Sequence, residues 1–178
     1  MPLRTVVLIL WGVFWLYWLV AAAGAKQSVR TRRFRAPGLL VIVGIVLTRA
    51  FNTQTLAVHS VILQVVGMIV FVSGLALAVW ARIYLGRNWG MPMTKKEEPE
   101  LVTSGPYRYV RHPIYSGLLL AVLGTALATN LYWLIGLVVV GAYFIYSATV
   151  EERLMTSTFP DAYPRYKATS KMLIPFVL

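Results

Sequence analysis

Residues 105–115 contain the side chains of this chain that are best suited to chemistry, namely two arginines, one histidine and three tyrosines. They lie where a polar segment runs into an apolar one. Arg111 and His112 could bind an anion, and Pro113 suits the first turn of a helix whose amide groups also attract anions. Ionisable groups near hydrocarbon are costly, which favours a functional site. Alternatively, Arg111 and His112 anchor lipid phosphate, and tyrosines such as Tyr109 belong to an aromatic belt.

Other common kinds of catalytic and binding site lack the residues that they need. The chain has no cysteine, so disulfides, thiolate metal sites and cysteine nucleophiles are excluded. Its two histidines, His59 and His112, are predicted to lie at opposite membrane faces, so we expect no histidine metal site and no bound metal. The sequence contains neither a GxGxxG motif nor a P-loop.

Apolar helices must position the polar residues, because the composition is that of a membrane protein. The chain is 58% hydrophobic and 13% charged, with a mean hydropathy of +0.69. A membrane span needs about 20 mostly apolar residues. We therefore predict a single all-α integral membrane domain over residues 1–178, without β-strands. Its five transmembrane helices cover about residues 5–25, 36–51, 58–82, 113–129 and 131–150. The second is short, so its Arg49 must extend to the headgroups.

The spacing of small residues predicts which helices approach closely. The third predicted helix carries Gly74 and Ala78, and the fourth carries Gly117, Ala121, Gly124 and Ala128. Small residues four apart allow close backbone contact, although glycine and alanine are common in membrane helices anyway. The fourth and fifth helices are joined by little more than residues 129–130, which predicts an antiparallel hairpin.

The distribution of charge predicts the orientation in the membrane. The net charge is +11, and fifteen of the seventeen basic residues fall on one side of a five-helix arrangement. That side is expected to be cytoplasmic, which places the N-terminus outside, and residues 83–112 and 151–178 inside. All six acidic residues lie on the same side. The asymmetry therefore belongs to the loops, and we do not expect nucleic-acid binding.

The order of the motifs resembles that of the isoprenylcysteine carboxyl methyltransferases, members of a wider group of integral-membrane methyltransferases that includes phospholipid methyltransferases. The shared pattern comprises Leu101-Val102, Gly105-Pro106-Tyr107, Arg111-His112-Pro113-Ile114-Tyr115, an apolar hairpin and Glu151-Glu152. It covers about residues 80–175. The earlier residues match only as apolar helices.

The resemblance implies a cytoplasmic pocket for S-adenosyl-L-methionine around the fourth and fifth helices. Methyl transfer from this cofactor needs mainly positioning and exclusion of water. Arg111 and His112 would meet the cofactor carboxylate and Glu151 its ammonium, so Arg111 and Glu151 are the candidate catalytic residues. For Glu152 we also consider a simple ion pair with Arg153 or Arg165. The cofactor-binding positions of the family fall on Pro99, Glu100, Leu101, Val102, Gly105, Tyr107, His112, Pro113, Ile114, Tyr115 and Glu151.

The resemblance is weaker at the acceptor position. The eukaryotic enzymes carry a substrate-binding arginine one helical turn before the cofactor-binding glutamate, and this sequence has Ser147 there. We expect Ser147 to line a channel for a lipid-like or prenylated acceptor that arrives from the membrane lipids. Its nucleophile could be a carboxylate, an amine or a thiol. The alternatives are a phospholipid N-methyltransferase and a non-catalytic membrane protein, such as an assembly factor or a transporter subunit.

Overall fold

The computed structural model of the protein describes residues 2–22, 28–29, 56–89, 95–96 and 100–174. The predicted second helix, residues 36–51, lies outside these ranges. Short 3-10 turns occur at Gly86–Asn88 and Gly105–Arg108. The described ranges contain five α-helices, which are α1 (Leu3–Ala22), α2 (Val61–Leu85), α3 (Pro113–Ala128), α4 (Trp133–Thr158) and α5 (Ala162–Thr169).

Three of these helices, α1, α2 and α4, are long and apolar enough to cross a membrane. The apolar helix α3 has 16 residues, which corresponds to about 24 Å of length at the usual helical rise. A bilayer core is about 30 Å thick. The prediction of an all-α membrane protein is thus confirmed in its class, whereas the number of five spans stays a prediction.

A pair of two-residue strands corrects the expectation that the chain would form no β-structure. Strand β1 (Ser28–Val29) pairs with β2 (Lys95–Lys96) in antiparallel register, with Ser28 opposite Lys96. Alternating hydrophobicity predicts a strand only over several residues. A two-residue pairing within polar segments gives no such pattern, so the sequence could not reveal it.

Helices α2 and α3 pack through a glycine interface that consists of Gly67 and Gly74 in α2 and Gly117 and Gly124 in α3. A Cβ atom built on Gly117 would lie 2.6 Å from the carbonyl oxygen of Gly74, and one on Gly67 would lie 2.7 Å from the carbonyl carbon of Leu127. A Cβ on Gly124 would collide with the backbone of Phe71. The predicted close approach of these helices is therefore confirmed, since only glycine leaves room for it.

Local signals set where α2 and α3 begin and end. The Ser60 hydroxyl accepts a hydrogen bond from the Leu63 amide at 3.5 Å before α2. Gly86 ends that helix with a φ of 53°, which favours glycine. The helices α2, α3 and α4 correspond to the third, fourth and fifth predicted helices. Helix α3 starts at Pro113, in agreement with the prediction. The connection to α4 spans residues 129–132, and Asn130 Oδ1 accepts from the Tyr132 amide at 2.8 Å.

Helix α4 continues to Thr158, eight residues beyond the predicted end at residue 150. The apolar pattern stops at residue 150, but the sequence contains no glycine or proline between Gly141 and Pro160 that would break a helix. Glu151 and Glu152 consequently lie inside α4. Their side chains therefore project from a helix and not from the segment that follows it.

The residues after α4 fold back onto the start of α3. We call residues 162–173, which comprise α5 and the strand-like stretch after it, the C-terminal segment. The Arg111 amide donates to the Lys171 carbonyl at 2.7 Å, and the His112 amide donates to the Met172 carbonyl at 3.1 Å. The Ser116 hydroxyl donates to the Leu173 carbonyl at 2.5 Å. The C-terminal residues thereby hold the loop that precedes α3.

Candidate active site

The predicted site residues from the start of α3 and from α4 come together in the structure. His112 lies just before α3 with a φ of −126° and a ψ of 58°, so it is not helical. A proline disfavours a helical conformation at the preceding residue, and Pro113 itself is buried. The ring of His112 is directed toward α4, where it approaches both Glu151 and Glu152.

Glu151 lies between two aromatic side chains of the α3 entrance. The Tyr115 hydroxyl donates to Glu151 Oε1 at 2.6 Å, and His112 Nδ1 lies 3.5 Å from Glu151 Oε2. The Glu151 side chain is 25% exposed. A ligand can therefore reach this carboxylate while the protein fixes its orientation.

Glu152 has different surroundings, although it is the next residue along the helix. Its side chain is only 4% exposed, with Arg111 Nε 2.7 Å from Oε1 and Lys167 Nζ 2.7 Å from Oε2. His112 Nε2 lies 3.6 Å from Oε1, which is too long for a hydrogen bond. The expected pairing of Glu152 with Arg153 or Arg165 is therefore wrong, because its cations are Arg111 and Lys167.

Arg111 is held by protein groups. Besides its contact with Glu152, its Nη1 donates to the carbonyl of Ser170 and lies 3.4 Å from that of Lys167. The side chain is 8% exposed. These contacts join the α3 entrance to α4 and to the C-terminal segment. The predicted contact of Arg111 with a cofactor carboxylate stays a prediction.

A stack of three rings connects the site to the hydrophobic core. The rings of His112 and Tyr115 are 5.4 Å apart and inclined by 5°, and those of Tyr115 and Phe144 are 4.3 Å apart and inclined by 7°. Burial by itself lowers the pKa of His112, but the contacts with Glu151 and Glu152 outweigh it, so that its pKa is raised. The two carboxylates therefore favour the protonated form of the imidazole.

The segment before α3 contributes a tight turn and buried rings. Gly105 has a φ of 58°, and a Cβ atom there would lie 2.5 Å from the ring of Tyr84. Tyr107 and Ile114 are buried in one core cluster with Tyr115, and the half-buried Val102 packs against this cluster. The structure thus gives Gly105, Tyr107 and Ile114 a packing role, while their contacts with a cofactor stay predictions.

The remaining predicted residues of this segment are more peripheral. Glu100 is exposed and accepts from the side-chain amide of Asn88 at 3.0 Å. Leu101 is half-buried. Pro99 lies outside the described residues. The predicted contacts of Pro99, Glu100 and Leu101 with a cofactor stay predictions.

Ser147 is fully buried one turn before Glu151, and its hydroxyl has no hydrogen-bond partner among the described residues. The prediction that it lines an acceptor channel stays a prediction. A small residue at this position places no charge beside Glu151, as the sequence suggested.

Several residues of the site were not predicted, namely Phe144, Tyr166, Lys167 and Ser170. The Tyr166 hydroxyl donates to the Tyr107 carbonyl at 2.6 Å, and burial raises the pKa of Tyr166 to about 12, so it stays a donor at neutral pH. The available signal was an excess of basic and aromatic residues after the two glutamates. This excess indicated that the two glutamates would have partners, but it did not indicate which residues these are.

Arg111, His112, Glu151, Glu152 and Lys167 form a charged cluster at the ends of the helices. The helices and this cluster define an all-α integral membrane protein with a buried polar site. A family model described as "Phospholipid methyltransferase" matches residues 62–162, which is more than half of the chain. The chain therefore belongs to this family of integral-membrane methyltransferases, and the predicted family is confirmed.

Individual relatives are distant. The chain is 31% identical over 101 residues to "Protein-S-isoprenylcysteine O-methyltransferase" of Schizosaccharomyces pombe, which covers 54% of this chain and 43% of the relative. It is 35% identical over 78 residues to "Methanethiol S-methyltransferase 1" of Bradyrhizobium diazoefficiens, which covers 44% of this chain and 27% of the relative. The chain thus matches less than half the length of either relative.

The fold is similar to that of a solved structure of the eukaryotic intramembrane Ras methyltransferase ICMT, the isoprenylcysteine carboxyl methyltransferase. The TM-score is 0.64 at 22% sequence identity, over 82% of this chain and 55% of that chain. This likeness supports the arrangement of the helices.

Proposed function

We propose that this protein is an S-adenosylmethionine-dependent methyltransferase that acts on a lipid-like acceptor at the membrane surface. The observation that carries the proposal is that Tyr115 and His112, at the entrance of α3, both contact Glu151, at 2.6 Å and 3.5 Å. These residues come from segments 36 positions apart, and they are the ones that the family resemblance assigns to the cofactor.

The residues of the site fit the cofactor in type. S-Adenosylmethionine carries an ammonium and a sulfonium cation, and the partly exposed Glu151 carboxylate suits such groups. Leu101 and Val102 offer an apolar surface and backbone amides for its adenine. When bound, the cofactor supplies an electrophilic methyl group. The chain's own residues orient the reactants and exclude water, which is the main requirement of this chemistry.

A lipid-like acceptor is supported by the setting of the site. The site lies at the ends of helices whose surfaces expose many large apolar side chains, including Ile62, Leu16 and Val138. Ser147 places no cation beside Glu151, so we expect weak methylation of a free prenylcysteine carboxylate. The family match supports a phospholipid amine as the second candidate, and the methanethiol relative adds a thiol.

The binding experiment is calorimetry of S-adenosylhomocysteine with the full chain in detergent. We expect the combined substitutions His112→Ala and Tyr115→Phe to weaken binding while the protein stays monodisperse. The matched control combines His59→Ala with Tyr109→Phe, since both residues are exposed. Absence of binding by the unmodified protein would favour the non-catalytic alternative, and equal binding by both double variants would remove His112 and Tyr115 from the site.

The acceptor experiment compares three compounds with a labelled methyl donor. These are a farnesylcysteine analogue, phosphatidylethanolamine and a long-chain alkyl thiol. We expect the analogue to be the poorest acceptor. Robust turnover of the analogue would contradict the argument from Ser147 and restore a prenylcysteine carboxylate as the acceptor.

We also propose that the site faces the cytoplasm, which rests on the charge distribution alone. A reporter fused after Leu178 should then be cytoplasmic, and a tag before Met1 should be reachable from outside intact cells. A C-terminal reporter on the outer side would contradict this orientation and mean that a helix was miscounted, with the short second helix the first to re-examine.

A further inference from the structure

The imidazole of His112 lies between two carboxylates. Its Nδ1 faces Glu151 Oε2 at 3.5 Å, and its Nε2 faces Glu152 Oε1 at 3.6 Å. A neutral imidazole carries one N–H group and would present a lone pair to one of these oxygens. An imidazolium directs an N–H group toward each. Both distances are longer than a hydrogen bond but within ion-pair range, so two carboxylates on opposite sides of the ring favour its charged form electrostatically.

Glu152 is fixed by two cations that come from different elements. Arg111 Nε contacts one of its oxygens and Lys167 Nζ the other, both at 2.7 Å. Arg111 also donates to the Ser170 carbonyl in the C-terminal segment. With its side chain 4% exposed, Glu152 cannot turn toward a ligand without breaking both ion pairs.

We propose that Glu152 is a positioning residue, which Arg111 and Lys167 hold so that His112 lies as an imidazolium between the two glutamates. Its importance for cofactor binding rests on the proposed function, whereas the charge of His112 does not. The imidazolium fixes the side chain of Glu151 from one side, while the Tyr115 hydroxyl fixes it from the other. Since an imidazolium has no free lone pair, His112 accepts no proton from an acceptor.

The charged groups around His112 predict opposite effects for two substitutions. Glu151 and Glu152 face the ring from α4, the Tyr115 hydroxyl lies beside Glu151, and Arg111 and Lys167 lie behind Glu152. Glu152→Gln removes an anion and should lower the pKa of His112. Lys167→Met removes a competing cation and should raise it. A merely structural role for either residue would not give shifts of opposite sign.

The direct test is magnetic resonance of the imidazole nitrogens. His59→Gln leaves His112 as the single histidine, so that uniformly labelled histidine gives one set of signals. We expect both ring nitrogens to be protonated at pH 7, and a midpoint that falls by about 1 unit or more in Glu152→Gln. Lys167→Met should raise the midpoint by less, because Lys167 is 51% exposed.

The control substitution is Lys171→Met, which removes the same charge from an exposed position of the same segment. Lys171 makes no ion pair within the described ranges, so the midpoint should not move. A neutral His112 with a single tautomer at pH 7 would overturn the proposal. An unchanged midpoint in both Glu152→Gln and Lys167→Met would do so too. If Glu152→Gln does not fold, Lys167→Met still decides, since it leaves Arg111 and Glu152 paired.

Binding of S-adenosylhomocysteine as a function of pH tests the consequence for the site. The raised pKa of His112 means that its stabilising contribution is complete below its ordinary value of about 6.5 and is lost as the pH rises through the raised value. Affinity should fall over the same window, with a midpoint that follows the variants. Affinity equal to that of the unmodified protein in Glu152→Gln at every pH would overturn the positioning role. Absence of binding by the unmodified protein would refute the proposed function alone.

Discussion

The glycine interface between α2 and α3 and the charged cluster at the α3 entrance are assembled in opposite ways. The interface works because side chains are missing, so that the backbones of Gly74 and Gly117 touch. The cluster is held together by long charged side chains, because Arg111 and Lys167 both pair with the buried Glu152. Adding volume should therefore disrupt the first, whereas removing a charge should weaken the second.

The two regions also depend on each other. Close packing against α2 fixes the position of α3, and thereby of Pro113 and the loop before it. The charged cluster then needs the C-terminal segment, whose Lys171 and Met172 carbonyls accept from the Arg111 and His112 amides. Helix packing thus places one half of the site, and the chain end closes the other half.

The largest effect is expected from adding volume to the glycine interface. Gly124→Leu should prevent recovery of folded protein, because even a Cβ atom there collides with the backbone of Phe71, and overpacking a core costs about 1–3 kcal/mol or more. Recovery and thermal unfolding in detergent measure the effect. Gly12→Leu is the control, since Gly12 is exposed and no other segment among the described residues comes within 4 Å of a Cβ built on it. Equal recovery of both variants would contradict the packing argument.

Removing one charge from the cluster should come next. Arg111→Gln leaves the buried Glu152 with Lys167 and the longer contact to His112, and breaking a buried ion pair costs about 3–5 kcal/mol. The unfolding midpoint should fall clearly. Arg108→Gln, at an exposed position of the same loop, should leave it nearly unchanged. If the two variants unfold at the same temperature, Arg111 contributes nothing through Glu152.

Glu151 should matter for the ligand more than for folding. Glu151→Gln is expected to weaken S-adenosylhomocysteine binding by an amount near the lower end of the range of about 2–5 kcal/mol for a lost charge pair, because its side chain is 25% exposed. The unfolding midpoint should change little. Asp161→Asn is the matched control at an exposed acidic position. Unchanged affinity in Glu151→Gln would exclude this carboxylate from the cofactor site.

The smallest effect is expected at Ser147. Its buried hydroxyl lacks a partner among the described residues, so Ser147→Ala should be nearly neutral or slightly stabilising. Ser116→Ala provides the comparison, because the Ser116 hydroxyl donates to the Leu173 carbonyl at 2.5 Å, and such a bond is worth about 0.5–1.5 kcal/mol. A larger loss in unfolding temperature for Ser147→Ala would mean that its hydroxyl has a bonded role.

Much of the fold followed from local patterns. Hydropathy located the membrane helices, and the small residues of α2 and α3 indicated which pair would approach closely. Pro113 marked the start of α3 because proline suits the first helical turn. The predicted end of α4 was eight residues too early. Hydropathy marks where the apolar residues stop, and a helix can continue beyond that point through polar residues.

The charged cluster was only half predictable. The motif placed Glu151, Tyr115 and His112 in one site, and the structure brings them together. The sequence offered Arg153 and Arg165 as possible partners of Glu152, whereas the structure pairs it with Arg111 and Lys167. Charged residues attract one another over similar distances whatever their order in the chain, so proximity in sequence was a poor guide to pairing.

The sequence by itself determined the membrane class, the family and the start of α3, because hydropathy, short motifs and proline act over a few residues. Only the tertiary structure decided that Glu152 is buried between Arg111 and Lys167 while Glu151 remains partly exposed. Two adjacent residues on a helix point about 100° apart. Which of them meets the protein and which meets a ligand therefore depends on how the C-terminal segment folds back, a contact between distant parts of the chain that no local pattern encodes.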